Sequence, residues 1–173
     1  MKILFSSILV IFLFFTNQAL SEQNIAFIDL DRVISISKPG SSILKQLTDL
    51  NNKNLKFLNN KEKKLKEKET KLISQKNIIS EADFKSKVNE LKSEIKNYNQ
   101  NRKKMLADFN KLKVDNTNNF LKLINPILIK FSNDKEIAII LQKKDLIIAK
   151  TQLDITDEVI KIVNLEVKEF KIK

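Results

Sequence analysis

The feature of this sequence that most limits its fold is the long stretch 41–125, which contains neither proline nor glycine. Gly40 is the only glycine in the chain, and both tight turns between strands and phosphate-binding loops need glycine for backbone angles that other residues avoid. A sheet-rich fold is therefore excluded, and the stretch is predicted to be helical. Pro39 and Gly40 are expected to stop the segment that precedes this stretch, and one of the two serines that follow is expected to cap the helix. Pro126 is expected to kink or end the helix.

The second half of this stretch has the clearest periodicity in the chain. Mostly apolar residues recur alternately four and three positions apart: Phe84, Val88, Leu91, Ile95, Tyr98, Arg102, Met105, Phe109 and Leu112. This spacing, sustained over about four heptads, is typical of a coiled coil. Residues 80–83, Ser-Glu-Ala-Asp, have the capping-box pattern that begins a helix. The sequence therefore predicts an arm over 41–134, an antiparallel hairpin of two helices with a length of roughly 57 Å at about 1.5 Å per residue.

The first half of the stretch has an apolar stripe that thins along the chain. The stripe consists of Leu44, Leu47, Leu55, Leu58, Leu65, Leu72 and Ile79. After residue 58 it has only one residue per heptad. Leu58, Leu65 and Leu72 are interpreted as the seam of the coiled coil. Phe57 lies off that seam, which makes it a candidate for exposed apolar contact, with packing against the rest of the chain as the alternative.

Short apolar runs rich in β-branched residues flank the helical stretch. Residues 25–30 before it, and 137–141 and 146–149 after it, match the pattern of buried strands. The polar residues between the last two runs are typical of a β-hairpin. The fold class is therefore mainly α with a small β-body (α+β), in which 22–40 and 135–173 build a three-stranded sheet from which the arm projects.

Acidic residues cluster at two places outside the arm: Asp29 with Asp31, and Asp154 with Asp157 and Glu158. Both sets stand where helices are expected to begin, and Thr156 is predicted to cap the last helix, so the carboxylates are interpreted as caps. The chain has no histidine and no cysteine, which removes the commonest general base, the thiol nucleophile and most transition-metal ligands. No catalytic, metal-binding or cofactor site is predicted, and the chain is not expected to be an enzyme.

The N-terminus has the organisation of a secretory signal peptide. Lys2 precedes an apolar run over 3–15, a polar break follows, and Ala19 and Ser21 provide the small residues of a cleavage site. The run is shorter than the roughly 20 apolar residues that span a bilayer. We therefore expect 1–21 to be removed and the mature protein to act outside the cytoplasm.

The charge of the chain is strongly positive and comes almost entirely from lysine. There are 32 basic and 21 acidic residues, which gives a net charge of +11. Such an excess attracts acidic partners and anionic membrane surfaces, although lysines are also the ordinary solvated face of a long helix. The arm residues that are candidates for contact with a partner are Lys61, Lys64, Lys68 and Phe57.

Together these elements resemble the Skp/OmpH family of periplasmic chaperones for outer-membrane proteins. The matching elements are the signal peptide, the strand 25–30 running into Asp31-Arg32-Val33-Ile34, the Pro39-Gly40 break, the helical hairpin, Asn125-Pro126-Ile127, the paired strands and the terminal segment 153–161. Helical arms occur in many unrelated proteins. The resemblance therefore depends mainly on the two ends, at Asp31-Arg32 and 153–160.

The resemblance implies a periplasmic homotrimer whose strands assemble into a central body and whose arms enclose an unfolded client without ATP. The implied partners are unfolded outer-membrane proteins, with anionic lipid or lipopolysaccharide as further candidates. Nucleic acid is not expected as a partner, because an exported protein would not meet it. Because the apolar strands exceed what one small sheet can cover, the candidates for contact between subunits are Ile25, Phe27, Ile137 and Ile139. The chain departs from the family at Glu136, where a Gly-Tyr pair is common, and in its continuation over 164–173.

Other interpretations remain open. A structural coiled-coil spacer of the cell envelope would be held at the membrane by an uncleaved segment 3–15. A nucleic-acid-binding protein is supported by charge alone, and an aromatic content of 7% without tryptophan offers few stacking surfaces. An enzyme is the weakest alternative.

We predict cleavage between Ser21 and Glu22, because the apolar run is short and small residues stand at positions 19 and 21. The intact mass of the protein recovered from the cell envelope should correspond to a chain that begins at Glu22. Retention of 1–15 in the membrane fraction would contradict this prediction and favour the spacer.

Overall fold

The computed structural model describes residues 24–173, and the predicted signal peptide, 1–21, lies outside the described residues. Strand β1 and helix α1 come first, two long helices follow, and a second strand and a last helix close the chain: β1 Asn24–Ile28, α1 Leu30–Ile36, α2 Lys38–Ser74, α3 Glu81–Asp134, β2 Ile137–Gln142 and α4 Thr156–Glu166. Short 3-10 turns cover Lys143–Asp145 and Thr151–Leu153. The prediction of a mainly helical chain with a small sheet is confirmed.

The sheet has two strands, and they run parallel. Ile25 lies opposite Ile139 and Phe27 opposite Leu141. The β-hairpin predicted between 137–141 and 146–149 is wrong for the single chain, since a 3-10 turn follows β2 and 146–149 forms no strand. Ile147 and Ile148 in that segment are 99% and 91% exposed. An apolar run indicates that a segment will be buried, but the partner of a strand is set by distant residues, and within 24–173 this segment has none.

Helix α2 begins earlier than its sequence suggests. Ser37 caps it, with its hydroxyl accepting the Gly40 N–H at 3.3 Å, and Pro39 lies in the first turn. Proline is tolerated there because its missing N–H would have no partner inside the helix. The expected stop at Pro39 and Gly40, with the helix starting at Ser41, is therefore corrected to a start at Lys38.

Gly40 is required by a close approach between α1 and α2. A Cβ atom placed on it would lie 2.2 Å from the carbonyl oxygen of Ile34, which is backbone and cannot move aside independently. The glycine thus lets α2 start directly against the end of α1. Its role is to provide space, since its φ is not positive.

Helix α3 begins and ends at identifiable residues. Ser80 caps its start, with the hydroxyl accepting the Asp83 N–H at 3.1 Å and donating to the Asp83 carboxylate at 2.6 Å, so the predicted start of the second helix is confirmed. Pro126 does not end the helix, which continues to Asp134. A proline inside a helix removes one hydrogen bond, and here the residues around it are held by the core, where Ile124 and Ile127 are buried.

The core lies at the base of the arm. Residues of α3 at helical spacing form its centre, and α2 and α4 pack on them: Phe120, Ile124, Ile127, Phe131, Ile43, Leu47, Val159, Ile160 and Val163. A fully buried side chain of this size contributes about 1.5–3 kcal/mol, whereas an exposed i,i+4 ion pair contributes about 0.3–0.5 kcal/mol. The stability of the fold therefore comes mainly from the base.

The connection from α3 to β2 depends on an unusual backbone conformation at Glu136. Its φ is +54°, in the left-handed region. Its N–H donates to the carbonyl of Asn133 at 3.3 Å, and the N–H of Lys135 donates to Phe131 at 3.1 Å. This is the position after a helix at which glycine is usually found, because it has no Cβ to clash. The departure from the family at this residue therefore leaves the turn formed but strained.

We predict that Glu136→Gly stabilises the protein. Relief of left-handed strain contributes about 1–2 kcal/mol, and the extra freedom of the unfolded chain subtracts about 0.4–1 kcal/mol, so the net gain should lie between about 0 and 1.6 kcal/mol, centred on about 0.8 kcal/mol. Chemical denaturation should show a higher midpoint with an unchanged slope. Glu136→Ala is the control, because it removes the same charge but keeps the Cβ. An equal gain for both variants would show that the charge, and not the backbone, matters.

Candidate functional site

The two long helices contact each other along the arm. Near the turn, Lys68 of α2 reaches Glu94 of α3 at 2.5 Å. Farther from the turn, Leu50 of α2 shares a surface depression with Leu112 of α3. Residues near the turn on α2 thus meet residues near the turn on α3, and residues far from the turn on α2 meet residues far from it on α3. Leu58 and Leu72 are buried in this contact and Leu65 is half-buried.

An apolar groove opens between the helices midway along the arm. Five of its nine lining residues are apolar and four are polar: Leu50, Phe57, Met105, Phe109 and Leu112, with Asn54, Asn101, Lys104 and Asp108. We call it the arm groove. Phe57 is 49% exposed there, so packing against the body does not cover it. The groove can accept apolar side chains.

The three candidate lysines have different surroundings in the structure. Lys61 lies over the ring of Phe57, with its ammonium nitrogen 5.8 Å from the ring centre. Lys64 is exposed. Lys68 forms its ion pair with Glu94, which ties the two helices together. Lys61 and Phe57 are therefore close together and accessible, while the charge of Lys68 is already matched.

Other ion pairs follow the surface of the arm. Lys66 lies 2.9 Å from Glu62, and Lys111 lies 2.6 Å from Asp115. The hydrogen bond from Lys66 lowers the pKa of Glu62, and the same bond raises the pKa of Lys66. The hydrogen bond to Asp115 likewise raises the pKa of Lys111. Such pairs match the charges of a few lysines of the arm and leave most of its lysines without an acidic partner.

The body exposes apolar side chains around its sheet. Of the four residues predicted to contact another subunit, Ile25 and Ile139 are exposed, Ile137 is half-buried, and Phe27 is buried within the chain. Leu141, Ile147 and Ile148 add to the exposed apolar surface: all three lie on or just after β2. Within 24–173 the only ladder partner of β2 is β1, so the other edge of β2 is unpaired there.

The acidic residues outside the arm hold the ends of helices. Asp29 accepts the Arg32 N–H at 2.9 Å and caps α1 as predicted. Thr156 is not the cap of α4 but its first residue, and it is Asp154 that accepts the Thr156 N–H at 2.9 Å. The hydroxyl of Thr156 instead accepts the Asp29 N–H at 2.9 Å. Within the described residues no three His, Cys, Asp or Glu side chains form a group that could hold a metal ion.

The same region joins the two ends of the chain. Arg32 pairs with Asp157 at 2.8 Å, and the Ile155 N–H donates to the carbonyl of Phe27 at 3.0 Å. The segments that carry the resemblance to a known family, Asp31-Arg32 and 153–160, are thus in direct contact. Their sequence is explained by the joint that they form.

Sequence reasoning missed two amide side chains near the base of the arm. Gln46 and Asn116 both hydrogen-bond to the backbone of 167–173. Asn116 is 1% exposed. The available signal was an asparagine at a position that interrupts the apolar seam, since a buried amide needs partners.

The fold is that of a small parallel-sheet body that carries a long arm of two helices. Residues 24–163 match the family model described as outer membrane protein (OmpH-like). The chain therefore belongs to the OmpH-like family, and the predicted family is confirmed.

The fold is similar to that of a solved structure. It is the crystal structure of a protein from Caulobacter crescentus CB15 for which an OmpH-like outer membrane chaperone role has been suggested. The TM-score is 0.72 at 14% identity, and the match covers 86% of this chain and 88% of that chain. At this identity the likeness concerns the fold alone. No curated protein matches this sequence, and no helix within 24–173 is long and apolar enough to cross a membrane.

Proposed function

We propose that this protein is an ATP-independent holdase chaperone of the periplasm. It binds unfolded outer-membrane proteins and keeps them soluble for delivery to the outer membrane. The observation that carries the proposal is the match to the OmpH-like family over 24–163, because this range includes both the body and the arm. The absence of histidine and cysteine from the sequence supports a role in binding and not in catalysis.

The arm offers two kinds of weak contact. The arm groove accepts apolar side chains of a client, and the unmatched lysines beside it, such as Lys61 and Lys64, attract acidic segments. Each exposed charge contact is worth only about 0–1 kcal/mol and is screened by salt. Many such contacts together hold a client firmly, yet each can break singly, which permits release without ATP.

The body provides the contact between subunits of the proposed homotrimer. The unpaired edge of β2 and the exposed side chains of Ile25, Ile139, Ile147 and Ile148 support association, because an open edge beside apolar surface favours pairing with another chain. Segment 146–149 is proposed to find in the assembly the strand partner that it lacks in one chain. The number three comes from the family resemblance.

We predict that Ile139→Asp dissociates the trimer, since it places a charge in the apolar contact of β2. Light scattering should report the mass of one chain, and circular dichroism should report unchanged helix content. Ile36→Asp is the matched control, because Ile36 is an exposed isoleucine of the body outside the sheet, and this variant should stay trimeric. A trimeric Ile139→Asp variant would contradict the role of this strand.

We predict that reversing the charges of Lys61 and Lys64 to Glu weakens client holding. At about 0.2–1 kcal/mol per contact, the loss should be about 2- to 30-fold, and the salt dependence should decrease. The measurement is suppression of the aggregation of an unfolded outer-membrane protein at two salt concentrations without ATP. Lys68 is left unchanged because a carboxylate there would repel Glu94 and separate the helices.

The control reverses Lys130 and Lys161, which are exposed outside the arm groove and outside the proposed subunit contact and change the net charge equally. This variant should hold clients like the unmodified protein. An equal loss in both variants would show that only net charge matters. If the unmodified trimer suppresses no aggregation at stoichiometric amounts, the chaperone proposal fails and the envelope spacer replaces it.

A further inference from the structure

Residues 167–173, which we call the tail, lie in the cleft between α2 and α3 at the base of the arm. The tail follows α4 directly, with the Val167 N–H donating to the carbonyl of Val163 at 2.9 Å. Its apolar side chains, Val167, Phe170 and Ile172, are half-buried against the core. The tail has no helix or strand of its own.

Two side-chain amides hold the backbone of the tail. Gln46 of α2 donates through Nε2 to the carbonyl of Phe170 at 3.0 Å and accepts the Ile172 N–H through Oε1 at 3.2 Å. Asn116 of α3 donates through Nδ2 to the main-chain oxygen of Lys173 at 3.2 Å and accepts the N–H of the same residue through Oδ1 at 3.3 Å. A side-chain amide has the same donor and acceptor as a peptide group. Each therefore takes the place of a neighbouring strand.

This kind of recognition does not depend on the sequence of the bound segment. The amides contact main-chain groups that every residue except proline provides. Selection comes only from the apolar contacts, which favour segments with side chains like those of Phe170 and Ile172. The cleft thus has the properties needed to bind many different extended apolar segments.

The hydrogen bonds of the buried Asn116 amide favour an occupied cleft over an empty one. Within the described residues, its Oδ1 accepts only the Lys173 N–H, while Nδ2 also donates to the carbonyl of Leu112 at 2.7 Å. A buried amide oxygen without a partner is unfavourable. When the tail leaves, either water or another segment must take its place.

The cleft continues into the arm groove. Leu112, whose carbonyl accepts from Asn116, lines the arm groove, and Leu50 of that groove lies one helical turn beyond Gln46. One turn is about 5.4 Å, so a segment bound in the cleft would run directly into the groove. The tail covers only the part nearest the body.

We propose that this cleft is a binding site for an extended polypeptide segment with apolar side chains, and that the tail occupies it as an internal competitor. A segment of an unfolded client displaces the tail and pairs with Gln46 and Asn116 in its place. This inference rests on the proposed function for the identity of the ligand, but not for the existence of the site.

The test uses a fluorescent peptide with the sequence of 167–173, Val-Lys-Glu-Phe-Lys-Ile-Lys, and measures its anisotropy. A chain that ends at Glu166 should bind it, and the full chain should bind it about 100-fold more weakly if the affinity is about 10 μM and the tethered tail acts at about 1 mM. A peptide with serine in place of Phe170 and Ile172 should not bind. Equal binding to both chains would overturn the proposal.

Point variants of the shortened chain test the role of the amides. Asn116→Ala should weaken peptide binding at least severalfold, whereas Asn119→Ala should not, because Asn119 is exposed on the same helix. If the shortened chain does not fold, the full chain with Phe170→Ser and Ile172→Ser replaces it, since this keeps the length but loosens the tail. Equal effects of Asn116→Ala and Asn119→Ala on peptide binding would show that the Asn116 side-chain amide does not hydrogen-bond to the peptide.

The ligand class is tested by competition with a peptide from a transmembrane strand of an outer-membrane protein, with apolar residues at alternate positions. Displacement of the fluorescent peptide supports the proposal, and failure to displace it overturns the assignment of the ligand. Peptide binding without any suppression of client aggregation would refute the proposed function and leave the site standing. Suppression of client aggregation by the full chain, without peptide binding to the shortened chain, would refute the site and leave the proposed function standing.

Discussion

The hydroxyl of Thr156 joins two segments that lie 127 residues apart, and the rest of the fold depends on this joint. The residue is fully buried, accepts the Asp29 N–H and donates to the carboxylate of Asp154. Because β1 and α1 are thereby fixed to α4, the chain between them must leave the body and return to it. The long helices α2 and α3 form the part of the chain that leaves the body and returns to it. The arm is therefore a consequence of joining the two ends of the chain in the body.

The distribution of buried area separates a rigid base from a sparsely packed arm. At the base, Phe120 and Ile124 are almost fully buried between α2 and α4. Toward the turn, the contacts of α2 with α3 are fewer and include leucines spaced one heptad apart, Leu58, Leu65 and Leu72, and the pair of Lys68 with Glu94. Local opening is easiest where buried contacts are fewest. The arm is therefore expected to open locally before the body does.

Features that depend on residues close in sequence were predictable, and features that depend on distant partners were not. The cap at Ser80 and the seam at Leu58 and Leu72 follow from local patterns, and the family follows from the two ends. The parallel pairing of β1 with β2 does not, because alternation of apolar residues is the same for either strand direction. The partner of Lys68 depends on the register between two helices, and the position of 167–173 depends on two amides far away in sequence.

The same interaction, a side chain bonded to a distant backbone group, is used in two different ways. At Thr156 it joins the fully buried first residue of α4 to Asp29, which lies between β1 and α1. All three elements contribute to the core, so breaking this bond requires opening the core. At Gln46 and Asn116 it holds a segment without secondary structure and with only half-buried side chains. The cost of releasing that segment is small enough for another chain to repay, since the new occupant makes the same bonds. A fold that closes itself with specific bonds at one end of the core thus keeps exchangeable ones at the other, where the arm begins.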